Sequence, residues 1–312
     1  MVPRTMMPAA SRRQLPVGDE IFLDHVGHFV RDAQAASRAL RRAGFAPTPV
    51  SIQADKDPST GRLVPTGLGN VTAMFARGYM EVLFKNSDTP LAGEFDAALA
   101  RRAGLHLAAF SVLDAAAARE RLAGAGFPVR DLARMQRPVE TEAGPGIAAF
   151  TISRVTPMAM PEGRIQILTH HTEHAVWQPR WLSHPNSVCD LIDVVIAVGD
   201  VEEAAKRFAR FTGCAATFTP GGALIRLDRG GIYLVSHDRA AEKLPEVPVT
   251  SLPFMIGYAL GVGSLATAEA AVDSADLEWR AFEDGIVATF PSELGQGAWF
   301  FVEAPEGLPW RH

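Results

Sequence analysis

The sequence predicts an α+β protein of four βαβββ units that pair into two domains of mixed sheet. Three observations carry this. One pattern, a short apolar strand running into an alanine-rich helix, occurs four times along the 312 residues. Asp or Ser stands at each strand-to-helix junction. A glycine precedes the last strand-like segment after each helix.

The first unit opens with LDHVGHFVRDAQAASRALRRAGF from Leu23, and the second with LHLAAFSVLDAAAARERLAGAGF from Leu105. The third opens with IDVVIAVGDVEEAAKRFARFTG from Ile192, and a weaker fourth with MIGYALGVGSLATAEAAVDSADL from Met255. Asp32, Asp114, Asp200 and Ser264 suit N-caps, because their side chains can accept from the free amides of a first helical turn. Gly44, Gly126 and Gly213 suit the left-handed residue that ends a helix. The last strands are expected at YMEVLF, RIQILT, GIYLVS and AWFFVE, each behind a turn glycine (Gly78, Gly163, Gly231, Gly297). Two units per domain divide the chain into a tail at 1–20, a first domain at 21–173, a linker at 174–189 and a second domain at 190–312.

Composition excludes several functions. A formal net charge of -5 argues against a broad nucleic-acid surface, which needs clustered basic residues. Cys189 and Cys214 have no paired spacing, so neither a disulfide framework nor a zinc motif is expected. No apolar run reaches the roughly 18 residues that span a bilayer, and the first residues lack the apolar core of a secretory signal. A soluble, cytoplasmic protein acting on a small molecule is expected. VPTGLGN (Val64 to Asn70) lacks phosphate-loop spacing, and neither a dinucleotide fingerprint nor a G-x-S-x-G elbow is present.

The LDHV strand, the Asp-capped helix and the glycine-led last strand resemble the vicinal oxygen chelate superfamily and, within it, the glyoxalase-like proteins. In that family two units curl into a cup, and a divalent metal (Zn, Ni, Mn, Co or Fe) is held by the first and last strands. The resemblance implies His25 and Glu81 as ligands from the first unit, and Gln166, which matches Glu81, from the second. Counted back from the helix cap, the partner of His25 is Leu107. His106 is therefore a ligand only if a bulge re-aims it. The plain alternative for His25 is a hydrogen-bonded core histidine, and for Glu81 a strand-edge carboxylate. His28 has the opposite parity and is expected to be structural. Leu23, Phe29, Tyr79, Leu83 and Leu168 are expected to line the cup. Asp193, Tyr233, Gly257 and Phe300 stand at the same places in the second domain. They make no metal set, so a structural, dimer-forming (homodimer) or substrate-covering role is expected there.

THHTEHAVWQPRWLSHPN, Thr169 to Asn186, holds four histidines whose spacing fits no closed zinc motif. It reads as a linker packed over the domain interface, or else as a substrate rim in which His171 and Arg180, with Tyr79 in the cup, meet a carboxylate or phenolate. The resemblance implies a metal-dependent isomerase or lyase with Glu81 as proton shuttle, because Gln166 cannot take a proton. The alternatives are a metal-free binding protein and an Fe(II) ring-cleaving dioxygenase.

Overall fold

The computed structural model of the chain describes residues 13–57 and 59–311. The first twelve residues of the expected tail lie outside them. Eight strands make the first half: β1 (Phe22–Phe29), β2 (Ser51–Lys56), β3 (Leu63–Met74), β4 (Tyr79–Lys85), β5 (Gly104–Ser111), β6 (Ala133–Thr141), β7 (Gly144–Arg154) and β8 (Arg164–His170). They pair in the order β1-β4-β3-β2-β6-β7-β8-β5 and close into a barrel. The seam between β2 and β6 is short, pairing Ala54 with Gln136 and Asp55 with Met135.

The second half contributes β9 (Val188–Val198), β10 (Ala216–Thr219), β11 (Gly222–Arg226), β12 (Gly231–Ser236), β13 (Phe254–Val262), β14 (Trp279–Phe282), β15 (Gly285–Thr289) and β16 (Ala298–Val302). These form an eight-stranded sheet in the order β10-β11-β12-β9-β13-β16-β15-β14. In every unit the first strand runs parallel to the last: β1 with β4, β5 with β8, β9 with β12, β13 with β16. The two units of each half meet through antiparallel first strands, β1 with β5 and β9 with β13. The fold is thus α+β, with four βαβββ units in two glyoxalase-like mixed sheets.

The helices are α1 (Ala33–Arg42), α2 (Pro90–Arg101), α3 (Ala115–Gly124), α4 (Glu173–Val176), α5 (Val201–Thr212), α6 (His237–Lys243) and α7 (Leu265–Ser274). The caps are those the sequence specifies. Asp32 accepts from the amides of Gln34 and Ala35, Asp114 from Ala116 and Ala117, Asp200 from Glu203 and Ser264 from Thr267. Each such cap stabilises its helix by about 1 kcal/mol. No helix among the described residues is long and apolar enough to cross a membrane.

Side-chain alternation sorts the apolar residues into three layers. Phe29, Tyr79, Leu83, Leu107, Phe150 and Leu168 point into the barrel. Tyr233, Phe300 and Trp310 belong to the inside of the second sheet. A third layer, including Val26, Met80, Val194 and Tyr258, lies outside both sheets, among the helices and between the halves. His28 joins this outer layer: its Nε2 meets the Tyr258 hydroxyl at 2.9 Å and its Nδ1 the Leu294 carbonyl at 3.0 Å. Burial pushes His28 down to about 4.

The linker histidines scatter. His170 is buried, His174 is exposed, and His184 is buried against the rings of Phe45 and Phe75. There the Ala46 amide donates to Nδ1 of His184 at 2.9 Å, and Nε2 donates to the Met74 carbonyl at 2.8 Å. In the second sheet Asp193 is fully buried and receives Nε1 of Trp310 and Nε of Arg311, both at 2.8 Å, so the C-terminal segment fills that position.

Candidate functional site

The site is set by two β-bulges where β1 and β5 pair. Leu23 pairs with Phe110 and His25 with Ala109, so Asp24 is an extra residue on β1. Gly27 pairs with Leu107 and His28 with Leu105, so His106 is the extra residue on β5. The first bulge sends Leu23 to the outer layer and turns His25 inward. Leu23 therefore does not line the barrel as parity alone predicts.

Asp24 is completely buried between two imidazoles. One oxygen meets Nδ1 of His25 at 2.7 Å and the other Nε2 of His170 at 2.9 Å. Burial would raise the pKa of Asp24, but the charges and hydrogen bonds of His170 and His25 outweigh it and hold the carboxyl well below the usual range. An ionised Asp24 needs an N–H from each ring. His25 accordingly turns Nε2 into the barrel, the orientation a carboxylate imposes on a working histidine. That Nε2 lies 3.8 Å from Oε2 of Glu81.

Glu81 comes from β4 and is buried. Its Oε1 is fixed by amide donors from Gln53 (3.0 Å) and Asn70, leaving Oε2 toward His25. Tyr79 stacks on the His25 ring with centroids 4.4 Å apart, and Trp177 abuts both Tyr79 and His170. Arg137 from β6 is nine-tenths buried within electrostatic reach of Tyr79 and Glu81. It has no ion-pair partner among the described residues.

The other expected residues fall elsewhere. Gln166 faces the interior, but its Oε1 accepts from Nε of Arg154 at 3.1 Å. The bulge does re-aim His106, yet not toward His25: its Nε2 meets the Arg102 carbonyl at 2.9 Å and its ring packs on Phe29. Burial, followed by the charge of Arg102, pushes His106 down to about 3. His171 lies on the outer face of the β7–β8 pair, exposed and 2.8 Å from the Thr151 hydroxyl, so it forms no rim. Arg180 is exposed at one barrel mouth, donates to the Glu140 carbonyl, and shares a pocket of about 200 Å³ with Arg137.

Sequence reasoning missed Asp24, His170, Gln53, Asn70 and Arg137. Gln53 and Asn70 carried a faint signal as lone polar residues in strand-like segments. The pairing of Asp24 with His170 spans 146 positions and carried none.

A divalent metal, the cofactor the resemblance implies, would find two donors here, His25 Nε2 and Glu81 Oε2. The second unit adds no free donor: Leu107 is apolar, Gln166 is engaged by Arg154, and His106 is turned to a backbone carbonyl. No group of three His, Cys, Asp or Glu among the described residues is arranged to hold a metal ion. The residues present do not fit the four-ligand centre.

This fold is that of a vicinal oxygen chelate protein. The chain belongs to the family described as glyoxalase-like domain, which matches residues 23–212. No curated protein matches the chain. Among solved structures it is similar to a hypothetical protein from Staphylococcus aureus, at 8% identity and TM-score 0.63, covering 90% of this chain and 98% of that one. A triply substituted 4-hydroxymandelate synthase from Streptomyces coelicolor is 15% identical with TM-score 0.54, covering 93% and 94%. The Mn(II)-bound glyoxalase from Novosphingobium aromaticivorans is 12% identical with TM-score 0.53, covering 91% and 81%. At these identities the likeness is one of fold.

Proposed function

We propose that this glyoxalase-like protein is an isomerase or lyase that moves a proton on a small oxygenated substrate. The observation that carries this is the 3.8 Å approach of His25 Nε2 to Glu81 Oε2. Two acceptors face each other there, so a proton or a bound hydrogen belongs between them. Glu81 takes a proton from a hydroxyl-bearing carbon next to a carbonyl, and the electron pair of that C–H bond passes through the C=C bond onto the carbonyl oxygen, giving an enediolate. Arg137 supplies positive charge for the developing oxyanion in a site where water does not screen it. In an isomerisation the proton then returns to the former carbonyl carbon, while the hydroxyl proton passes to the former carbonyl oxygen. In a lyase a leaving group departs instead. Asp24 holds His25 in the tautomer that backs Glu81.

A second reading, the metal-dependent form of this chemistry, draws on the likeness in fold to a Mn(II)-bound glyoxalase.

The test is solvent exchange. Wild type and Glu81→Gln are incubated in D2O with a panel of small α-hydroxy and α-keto carbonyl compounds, and C–H exchange is followed by NMR. Exchange in wild type that falls at least about a hundredfold in Glu81→Gln supports the proposal. Exchange that survives the substitution, or is absent in wild type across the panel, overturns it in favour of a binding protein. Loss of exchange on chelation, restored by Mn(II) in wild type but not in His25→Ala, selects the metal-dependent form.

A further inference from the structure

A cavity of about 600 Å³ opens at the barrel mouth opposite Arg180, between α2, the start of β8 and the Leu252–Pro253 loop of the second half. One wall is apolar, with Phe29, Met160, Ile165 and Leu252. The other carries more positive than negative charge. Arg130 is paired with Glu94 at 2.8 Å, but Arg154 and Arg164 have no carboxylate within ion-pair distance among the described residues. Arg154 gives one N–H to a neutral amide, Gln166. Arg164 has no hydrogen-bond partner among the described residues and lies over the Phe29 ring, 5.1 Å from its centroid. Burial, then the charges of Arg154 and Arg130, push Arg164 down to about 10. Two half-buried guanidinium groups that repel each other are stabilised by an anion between them.

Register ties this cavity to the candidate site. Glu81 pairs with Gly27, Gly27 with Leu107 and Leu107 with Arg164, so the four stand in one row across β4, β1, β5 and β8. All four face the interior. Three strand spacings, about 14 Å along the curved wall, separate the arginine from the carboxylate.

We infer that this cavity binds the substrate's anionic end, and that the ligand class is a carboxylate with an apolar or aromatic body. The carboxylate takes paired N–H donors from Arg154 and Arg164, and the body lies along Phe29, Met160 and Leu252. The inference rests on the proposed function for what happens at the far end of the ligand, but binding is tested without it.

Titration calorimetry with 3-phenylpropanoate as probe, and with the uncharged 3-phenylpropan-1-ol and with acetate as controls, decides the matter. The acid is expected to bind saturably and at least about tenfold more tightly than either control, a difference of about 1.4 kcal/mol. Arg164→Gln should weaken the acid at least tenfold and leave the alcohol unchanged. Arg164→Lys, which keeps the charge but not the fork, should fall between and serves if the glutamine variant does not fold. Arg180→Gln at the other mouth should bind as wild type. Equal binding of acid and alcohol, no binding of the acid up to about 10 mM, or unchanged binding in the Arg164 variants overturns the inference. Binding of the acid to wild type is read without turnover, so failure of proton exchange leaves this site standing.

Discussion

Asp24 and His106 occupy the same step of two successive units, each being the extra residue of a β-bulge, and their fates are opposite. Asp24 is drawn into the barrel wall between two histidines. His106 is turned to the other mouth and bonded to a carbonyl. One bulge completes a polar row at the centre of the first half, and the other withdraws a histidine from it. The asymmetry of the site follows from that pair.

Removing Asp24 leaves two buried imidazole N–H groups without an acceptor. Asp24→Ala should therefore cost about 3–5 kcal/mol of stability, read from urea unfolding at neutral pH. Asp24→Asn keeps the volume and one acceptor and should cost less. Equal stability of wild type and alanine variant would show that the histidines find other partners.

His28 supplies a pH dependence. Its folded pKa of about 4 lies below the ordinary 6.5, so the unfolded chain binds a proton first. Stability from this group is complete above about pH 6.5 and is lost as pH falls toward 4, by roughly 3 kcal/mol at most. His106 and His184 are shifted in the same direction and add to the slope. The Asp24 contribution is kept until pH drops below the ordinary carboxylate value of 3.8, outside this window. Thermal melts at about pH 7 and pH 5 should show a smaller drop for His28→Gln than for wild type.

Gly27 sits in the row between Glu81 and Leu107, where an added Cβ would lie 2.9 Å from the Leu107 Cβ. Both positions belong to paired strands that cannot readily part. Gly27→Ala should destabilise by about 1–3 kcal/mol. Adding Leu107→Gly, which removes that Cβ, should recover part of that loss, a coupling that a double-mutant cycle measures directly.

In the second half Arg311 neutralises the fully buried Asp193. Arg311→Ala should lower stability by roughly 3 kcal/mol while leaving 3-phenylpropanoate binding unchanged. Calorimetric melting alongside the binding titration checks both halves of that statement.

The repeat, the four helix caps and the last strands could be read from sequence because each depends on neighbours within a few positions. Asp32 caps α1 through amides two and three residues on. His25 and Glu81 stood out through the resemblance to the family, which places ligands on the first and last strands of a unit. The bulges were not legible, since an extra residue is defined by the partner strand and leaves no local mark. The orientation of His106 depends on such a bulge, and another puts Leu23 on the face opposite to the one alternation alone predicts. Arg154 and Arg164 carry no signal in the sequence, because their want of a carboxylate partner is a property of the assembled cavity. α2, with its Thr89 cap and Pro90 start, carried a legible signal that the repeat pattern obscured.

The apolar layer shared by the two halves bears on how the gene can be handled. Val26 and Met80 from the barrel meet Tyr258 and Val194 from the other sheet in one continuous core, and the Tyr258 hydroxyl binds His28. A shortened clone ending near residue 189 would leave that face bare to water and His28 without its phenol. Truncation for crystallisation or engineering should therefore spare the junction, and sticky, chaperone-bound material is what a half-length expression trial would return.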